Sequence, residues 1–510
     1  MTWRSAFHLA SLLLIATFAQ AHIGSPDIYL DGRAGPYQLF VTIRPPLVIP
    51  GVAELEVRAA TPGITELRAV PLPMSGPGAK FTPVADKLTV SPSDKQLFTG
   101  SLWMMAPGSW QVRLSASGPQ GSGTLAVPVP SAALVTRRMT PGLGALLSCL
   151  GLFLVAGVVV MAGASVRESR LDPGERPNAG RIRAGRVAMT VAAVLVIAVL
   201  WGGNRWWNNE AASYRQDVYK PLAMRAALAP NGALTLSLSD PGWLKAPGWR
   251  SLFTRSVDDL VPDHNHLMHL YAIRQPGLDV VYHLHPEPAG PGSFHLDLPA
   301  MPPGPYRLYA DIVHANGFPE TLVSSLVLPA MKGRPLAGDD ARGVAPPLPQ
   351  SAVDTRTFTL PDAFTMHWVG APAVMRAKAP VLFHFVLMTP EGAAPPDMSF
   401  YMGMLGHAAF IKADGTVFAH IHPAGSISMA AFDLAQKQAP STSPASPIPT
   451  SSPMDTDMPG MDMSGTHAAA HLPNEVTFPY GFPSPGRYRI FVQMKHGNTI
   501  ETGIFDATVL

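Results

Sequence analysis

Two stretches of this chain are restricted to one conformation by their length and lack of charge. From Met139 to Val166 no residue is charged, and the run includes GALLSCLGLFLVAGVVVMAGA; VAMTVAAVLVIAVLWGGN, from Val187 to Asn204, is equally free of charge. Each is close to the roughly 20 residues that span a bilayer core. Backbone polar groups in hydrocarbon must pair within the segment, so each run has to be a helix. The sequence therefore predicts membrane helices at 139–166 and 187–204, with Trp201, Trp206 and Trp207 as an interfacial belt.

The loop between them, RESRLDPGERPNAGRIRAGR at 167–186, carries six arginines. Short Arg-rich loops stay in the cytoplasm, and Arg137 and Arg138 on the far flank weaken that bias without reversing it. The opening MTWRSAFHLASLLLIATFAQA, residues 1–21, reads as an export signal cleaved after Ala21. Residues 22–138 and 208–510 are then expected outside the cytoplasm, periplasmic to an inner membrane crossed twice. The single cysteine, Cys149, falls inside the first apolar run, so no disulfide framework is available.

Outside the two runs the chain reads as mainly β. It has 45 Gly and 54 Pro, and only 14% of its residues are charged, against about a quarter in soluble domains. Segments such as YQLFVTIRP, AELEVRAA and SWQVRLSAS alternate apolar and polar residues between turn signals. The expected architecture is three immunoglobulin-like antiparallel sandwich modules, at 22–138, 230–332 and 355–510. A juxtamembrane linker at 208–229 and a second linker at 333–354 separate the parts. Pro, Ser and Thr dominate 436–473, which predicts a disordered Met-rich insertion in the third module.

The second and third modules read as copies of one unit. HNHLMHLYAIRQPGLDVVYHLHP aligns with MGMLGHAAFIKADGTVFAHIHP, which places His264 on Met402, His266 on Met404, His269 on His407, His283 on His420 and His285 on His422. Downstream, PGPYRLYADIVHANG aligns with PGRYRIFVQMKHGN and sets His314 on His496, with Glu320 and Glu501 following. Tyr306-Arg307 and Tyr488-Arg489 read as buried rings beside exposed arginines.

Pairing outward from Asp414-Gly415 puts His407 opposite His422 and Ala409 opposite His420. A three-residue loop in RQPGLD sets His269 opposite His285, with His283 on the same face. Opposed Cβ atoms lie about 5 Å apart, near enough for two imidazoles to share one ion. Neutral imidazole suits copper and zinc, while exchange of His264 and His266 for Met402 and Met404 moves a site towards Cu(I). Affinity should fall as pH drops through about 6.5. The alternative is that the histidines are cross-strand packers bonded to backbone.

Further candidate ligands are His314 and His496, each aligned beside a glutamate, and the insertion residues Met454, Met458, Met461, Met463, His467 and His471. His22, the residue after the signal, offers an amine and a ring nitrogen. The insertion resembles the Met/His-rich segments of periplasmic copper-handling proteins. YHLHP at 282–286 and FAHIHP at 418–423, each with its Pro-Gly-x-Tyr-Arg strand, resemble the HxHP sandwich domains of bacterial exported proteins, loosely similar to proteins of copper handling and cytochrome-oxidase maturation. That resemblance covers about half of the chain and implies an immunoglobulin-like fold and copper as cargo.

No glycine-rich phosphate loop, GxSxG elbow or HExxH helix appears, and a formal charge of +2 without a basic stripe argues against nucleic acid. The function expected is copper binding and transfer, with zinc possible, to another membrane or periplasmic copper protein. An assembly module without metal is the alternative, and a copper redox enzyme is the third reading.

Overall fold

The computed structural model describes residues 26–75, 77–136, 139–172, 174–241, 255–351, 354–438 and 471–510. The expected signal and His22 lie outside them, as do Met454, Met458, Met461, Met463 and His467. The chain divides into two compact units, one of residues 1–132 with 220–510, the other of residues 133–219.

The smaller unit is two helices, Pro141–Glu168 and Ala179–Gln216, both long and apolar enough to cross a membrane. Large apolar side chains such as Leu152, Phe153 and Val199 face outward with no protein over them. Where the helices meet, a Cβ on Gly185 would stand 3.0 Å from the Gly163 carbonyl, so small residues set the closest approach. The second helix runs to Gln216, past the expected end at Asn204, with Gly202 and Gly203 kept in helical geometry.

The larger unit is mainly β, with antiparallel sheets in chain-order pairs. The first pair spans Ile28–Ser131. In the strand Gly51–Ala59, Ala53, Leu55, Val57 and Ala59 are buried at the period of two that the sequence shows. In the second pair, one sheet joins Ala223–Leu228, Ala233–Ser239, Ser293–Asp297 and Glu287–Gly290. The other orders Pro319–Leu328, Gly304–Val313, His269–Arg274, Val280–Leu284 and Ala341–Val344. That last strand comes from the expected linker. In the third pair, Met398–Ser399, Gly486–His496, His407–Lys412 and Phe418–Ile421 form the sheet that carries the histidines, with Thr499–Val509 also pairing Gly486–His496.

The hairpin registers follow the pattern read from sequence. Leu270 faces Leu284 and Tyr271 faces His283; Ala408 faces Ile421 and Ala409 faces His420. Continued outward, His269 meets His285 and His407 meets His422. Alternation within these strands hides the fact that both faces are buried. Leu270, Ala272, Tyr282 and Leu284 fill the core of the second sheet pair, while Tyr271, Ile273 and Val281 pack on Ala409, Ile411 and Phe418 of the other hairpin. Tyr309 stacks on Phe418 with centroids 4.3 Å apart. The histidine-bearing faces of the two hairpins therefore oppose each other.

Arg489, expected exposed, is buried at this junction. It pairs with Asp506 at 2.7 and 2.9 Å and donates to the carbonyls of Leu278 and Pro346 at 3.1 and 2.8 Å. A charge out of water requires such full satisfaction.

The helix Met429–Lys437, capped by Ser428, occupies the approach to the insertion. Its residue Ala430 donates to the Asp263 carboxylate at 2.9 Å. Nearby, a Cβ on Gly425 would stand 1.9 Å from the Tyr29 carbonyl, so glycine is needed where the first sheet pair meets the turn after His422.

Candidate metal centre

Two tight turns bring histidine and methionine to the junction. Asp263 and His266 exchange backbone hydrogen bonds of 2.9 Å, as Tyr401 and Met404 do at 2.7 and 3.1 Å. The central residues are left-handed, with φ of 49° and 68° at His264 and Asn265 and 50° and 77° at Met402 and Gly403. Such turns demand positive φ twice, which Asn and Gly supply at least cost. The aligned pairs His264/Met402 and His266/Met404 thus occupy equivalent positions.

The structure gathers His264, His266, His269, His283, His285, His407, His420 and His422 in one buried cluster. Neighbouring rings lie at centroid distances such as 4.9 Å for His264 and His407, 5.3 Å for His269 and His420, and 3.9 Å for His266 and His285. Contacts are reciprocal across the junction. His283 Nδ1 lies 2.9 Å from Gln493 Oε1, and His420 Nδ1 lies 3.4 Å from Asp311 Oδ2. Gln493 and Asp311 stand opposite His407 and His269, in matching register.

Within this cluster two groups of three can each hold an ion, with ligand atoms all inside 4.8 Å of one another: His264, His407 and His422, and His269, His283 and His285. In the first group, the shared site, the ligands come from both modules. His422 Nδ1 donates to the Ile427 carbonyl at 2.9 Å, His407 Nδ1 meets His420 Nε2 at 3.2 Å, and His264 bonds the Met402 backbone. The three Nε2 atoms are sealed from solvent and have no hydrogen-bond partner. Each Nδ1 is fixed by an outer partner, which orients the ring and leaves the Nε2 lone pair as ligand.

The second group, the single-module site, is held by more contacts. Tyr401 gives its proton to the Asp339 carbonyl at 2.7 Å, and its oxygen and Gln493 Oε1 both face His283 Nδ1. His269 Nε2 donates to the Asp263 carbonyl at 3.0 Å, so its Nδ1 is an acceptor, 3.2 Å from His283 Nε2. Ligands about 2.0 Å from a tetrahedral ion stand about 3.3 Å apart. His285 completes the set: its Nδ1 sits 3.3 Å from Asp340, and its Nε2 is buried and unpartnered. Met402 shares a small buried cluster with Tyr401 and with Ala341, the residue opposite His283.

Burial keeps six of the imidazoles neutral. It pushes His264 down to about 3, reinforced by His422, and holds His269, His283, His407 and His420 well below the ordinary value. His285 is lowered by burial and partly restored by Asp340. Neutral imidazole is the form a metal needs.

The remaining candidates belong to neither group of three. His266 caps the cluster, stacked on His285 and 3.3 Å from Asp339. Met404 is buried beneath its turn. His471 is exposed, with Nδ1 2.9 Å from the Pro396 carbonyl. His314 lies between Asp259 and Glu320, and His496 between Asp397 and Glu501. Asp311, Asp339, Asp340, Tyr401 and Gln493 have partner roles absent from the sequence reading. The Asp339-Asp340 pair in an expected linker was the one available signal.

Residues 251–323 and 362–510 match a family described as "Domain of unknown function (DUF8832)". That description names no metal and no activity. No curated protein matches the chain. Solved structures with some likeness include a tetra-tandem repeat in the extending region of a large adhesion protein, at 9% identity and a TM-score of 0.15, over 90% of this chain and 71% of that one. A bacterial ice-binding adhesin is 8% identical with a TM-score of 0.14, over 90% and 91%. The E. coli alpha-2-macroglobulin is 10% identical with a TM-score of 0.15, over 95% and 25%.

Proposed function

We propose that this chain is a membrane-anchored, extracytoplasmic copper-binding protein that holds two ions between paired immunoglobulin-like sandwich modules and passes them to a periplasmic or membrane partner. The observation that carries the reading is that His264, His407 and His422 present ligand atoms within 4.8 Å of one another while the Nε2 atom of each is buried and unpartnered. Three such rings, each held from behind, form a cage that costs stability unless a cation fills it.

Copper is favoured over zinc by the methionines that the repeat sets at 402 and 404, where the second module has His264 and His266, since sulfur selects Cu(I) and adds little for zinc. The Met/His-rich insertion supports the same metal. An assembly module would have no use for inward lone pairs.

The test is titration of the purified full-length protein in detergent with Cu(I), Cu(II) and Zn(II) under competition. Two tight copper equivalents per chain are expected, one lost in His264→Ala and the other in His285→Ala. Preference for zinc, or copper binding unchanged in both variants, overturns the reading.

A further inference from the structure

Three residues beyond Asp311 and Gln493, which pair with His269 and His407, the internal repeat offers a comparison of one structure with itself. In the second module His314 sits with Nδ1 against Asp259 and Nε2 3.3 Å from Glu320, and the fully buried Arg255 guanidinium pairs with that glutamate. In the third module the same parts recur. His496 has Nδ1 3.5 Å from Asp397 and Nε2 3.5 Å from Glu501. Asp259 and Asp397 are equivalent, because the residues after them, Leu260 and Met398, pair with His314 and His496.

The cation is what differs. In the register that sets Asp259 on Asp397 and His269 on His407, the counterpart of Arg255 is Ala393. No guanidinium or ammonium group ion-pairs with Glu501, Asp362 or Asp397 among the described residues. Instead a further carboxylate arrives from the turn before Thr365–Val369: Asp362 stands 3.9 Å from His496 Nε2. His496 Nε2 is sealed from solvent with no hydrogen-bond partner, although its ring is fixed by Phe364 stacked at 4.5 Å. Asp362, His496 and Glu501 can present ligand atoms all within 4.8 Å of one another.

We infer that Asp362, His496 and Glu501 form a second kind of metal site, for a divalent cation such as Zn(II) or Mn(II), which takes the place that Arg255 fills in the second module. Asp397 orients the imidazole from behind, as a carboxylate does for a metal-bound histidine. Ligands 2.0–2.2 Å from an ion stand about 3.0–3.5 Å apart, and the 3.5 Å between His496 Nε2 and Glu501 meets this without movement. Asp362 closes the set by a small shift of an exposed turn: its side chain is 39% exposed, whereas that of Glu501 is 7% exposed. Two carboxylates and one imidazole give net negative charge and a mixed donor set, which suits zinc or manganese better than Cu(I). The open side leaves room for water or a partner's ligand.

The test uses the full-length protein carrying His264→Ala and His285→Ala, which removes the imidazole sites and keeps the two proposals separable. This protein should bind one equivalent of Zn(II), or of Mn(II) more weakly, and melt at higher temperature with the metal. Asp362→Asn with Glu501→Gln should lose the equivalent. Asp362→Arg, which returns a guanidinium to the pocket, should lose it too while melting no lower than its metal-free parent. Absence of Zn(II) and Mn(II) binding in the parent overturns the inference, as does an equivalent that survives the Asn/Gln change. Binding of Ca(II) alone overturns the role of His496.

Discussion

Phe418 tests whether the shared site depends on the packing between modules. Its ring is fully buried, stacked on Tyr309 at 4.3 Å and 5.3 Å from Tyr271, both across the junction. Phe418→Ala removes a core ring at a cost of about 3–5 kcal/mol, to which the aromatic pairs add about 0.5–1.5 kcal/mol. For modules of this size each kcal/mol shifts Tm by about 2–4 °C, so calorimetry of the detergent-solubilised protein should record a fall of roughly 10 °C. The shared site needs His264 from one module against His407 and His422 from the other. The single-module site keeps all its ligands and loses only the support of Gln493 and Tyr401. Copper titration should therefore show the shared site weakened at least tenfold more than its neighbour. Unchanged melting, or equal weakening of both sites, would refute the claim that this packing holds the shared site together.

Tyr401→Phe removes one of the two oxygens behind His283 and should weaken the single-module site by about tenfold in competition assays, leaving the shared site intact. Burial raises the Asp311 carboxyl to about 6 from an ordinary value of 3.8, so the folded protein holds that proton more tightly than the unfolded chain does. Its contribution to stability is fully present below pH 3.8 and is lost as pH rises through 6. With 22% of the side chain in water, Asp311→Asn should gain about 1–2 kcal/mol at pH 7.5 and nothing at pH 4 in denaturant melts. Gly425→Ala forces a Cβ into the Tyr29 carbonyl and should cost more than about 1 kcal/mol, read as faster proteolysis between the first module and the rest. Copper at about 100 times Kd should add about 2.7 kcal/mol of stability, which a chelator reverses.

The parts of the site visible in sequence are those fixed by period and register. Side chains alternate along a strand, so the spacing of His283 and His285, or His420 and His422, sets a common face, and the turn residues set the partner. Docking of one hairpin on the other was not legible, because Tyr271, Ile273 and Val281 read equally as the inner face of an isolated sheet. For the same reason the third ligand of the shared site, His264, was assigned to its own hairpin region. Exposure is the ordinary state of arginine, and the burial of Arg489 depends on Asp506 together with the carbonyls of Leu278 and Pro346, which lie outside its own module. Ala341–Val344 passed for linker because four residues with a central glycine carry little strand signal.

The reciprocal contacts of His283 with Gln493 and His420 with Asp311 are those of a twofold pair built into one polypeptide. Two separate copies of either half would be obliged to repeat every ligand, and both pockets would then be identical. Covalent joining lifts that obligation: imidazole stands at 264 where thioether stands at 402, and one polypeptide carries two groups of three histidines with unlike surroundings.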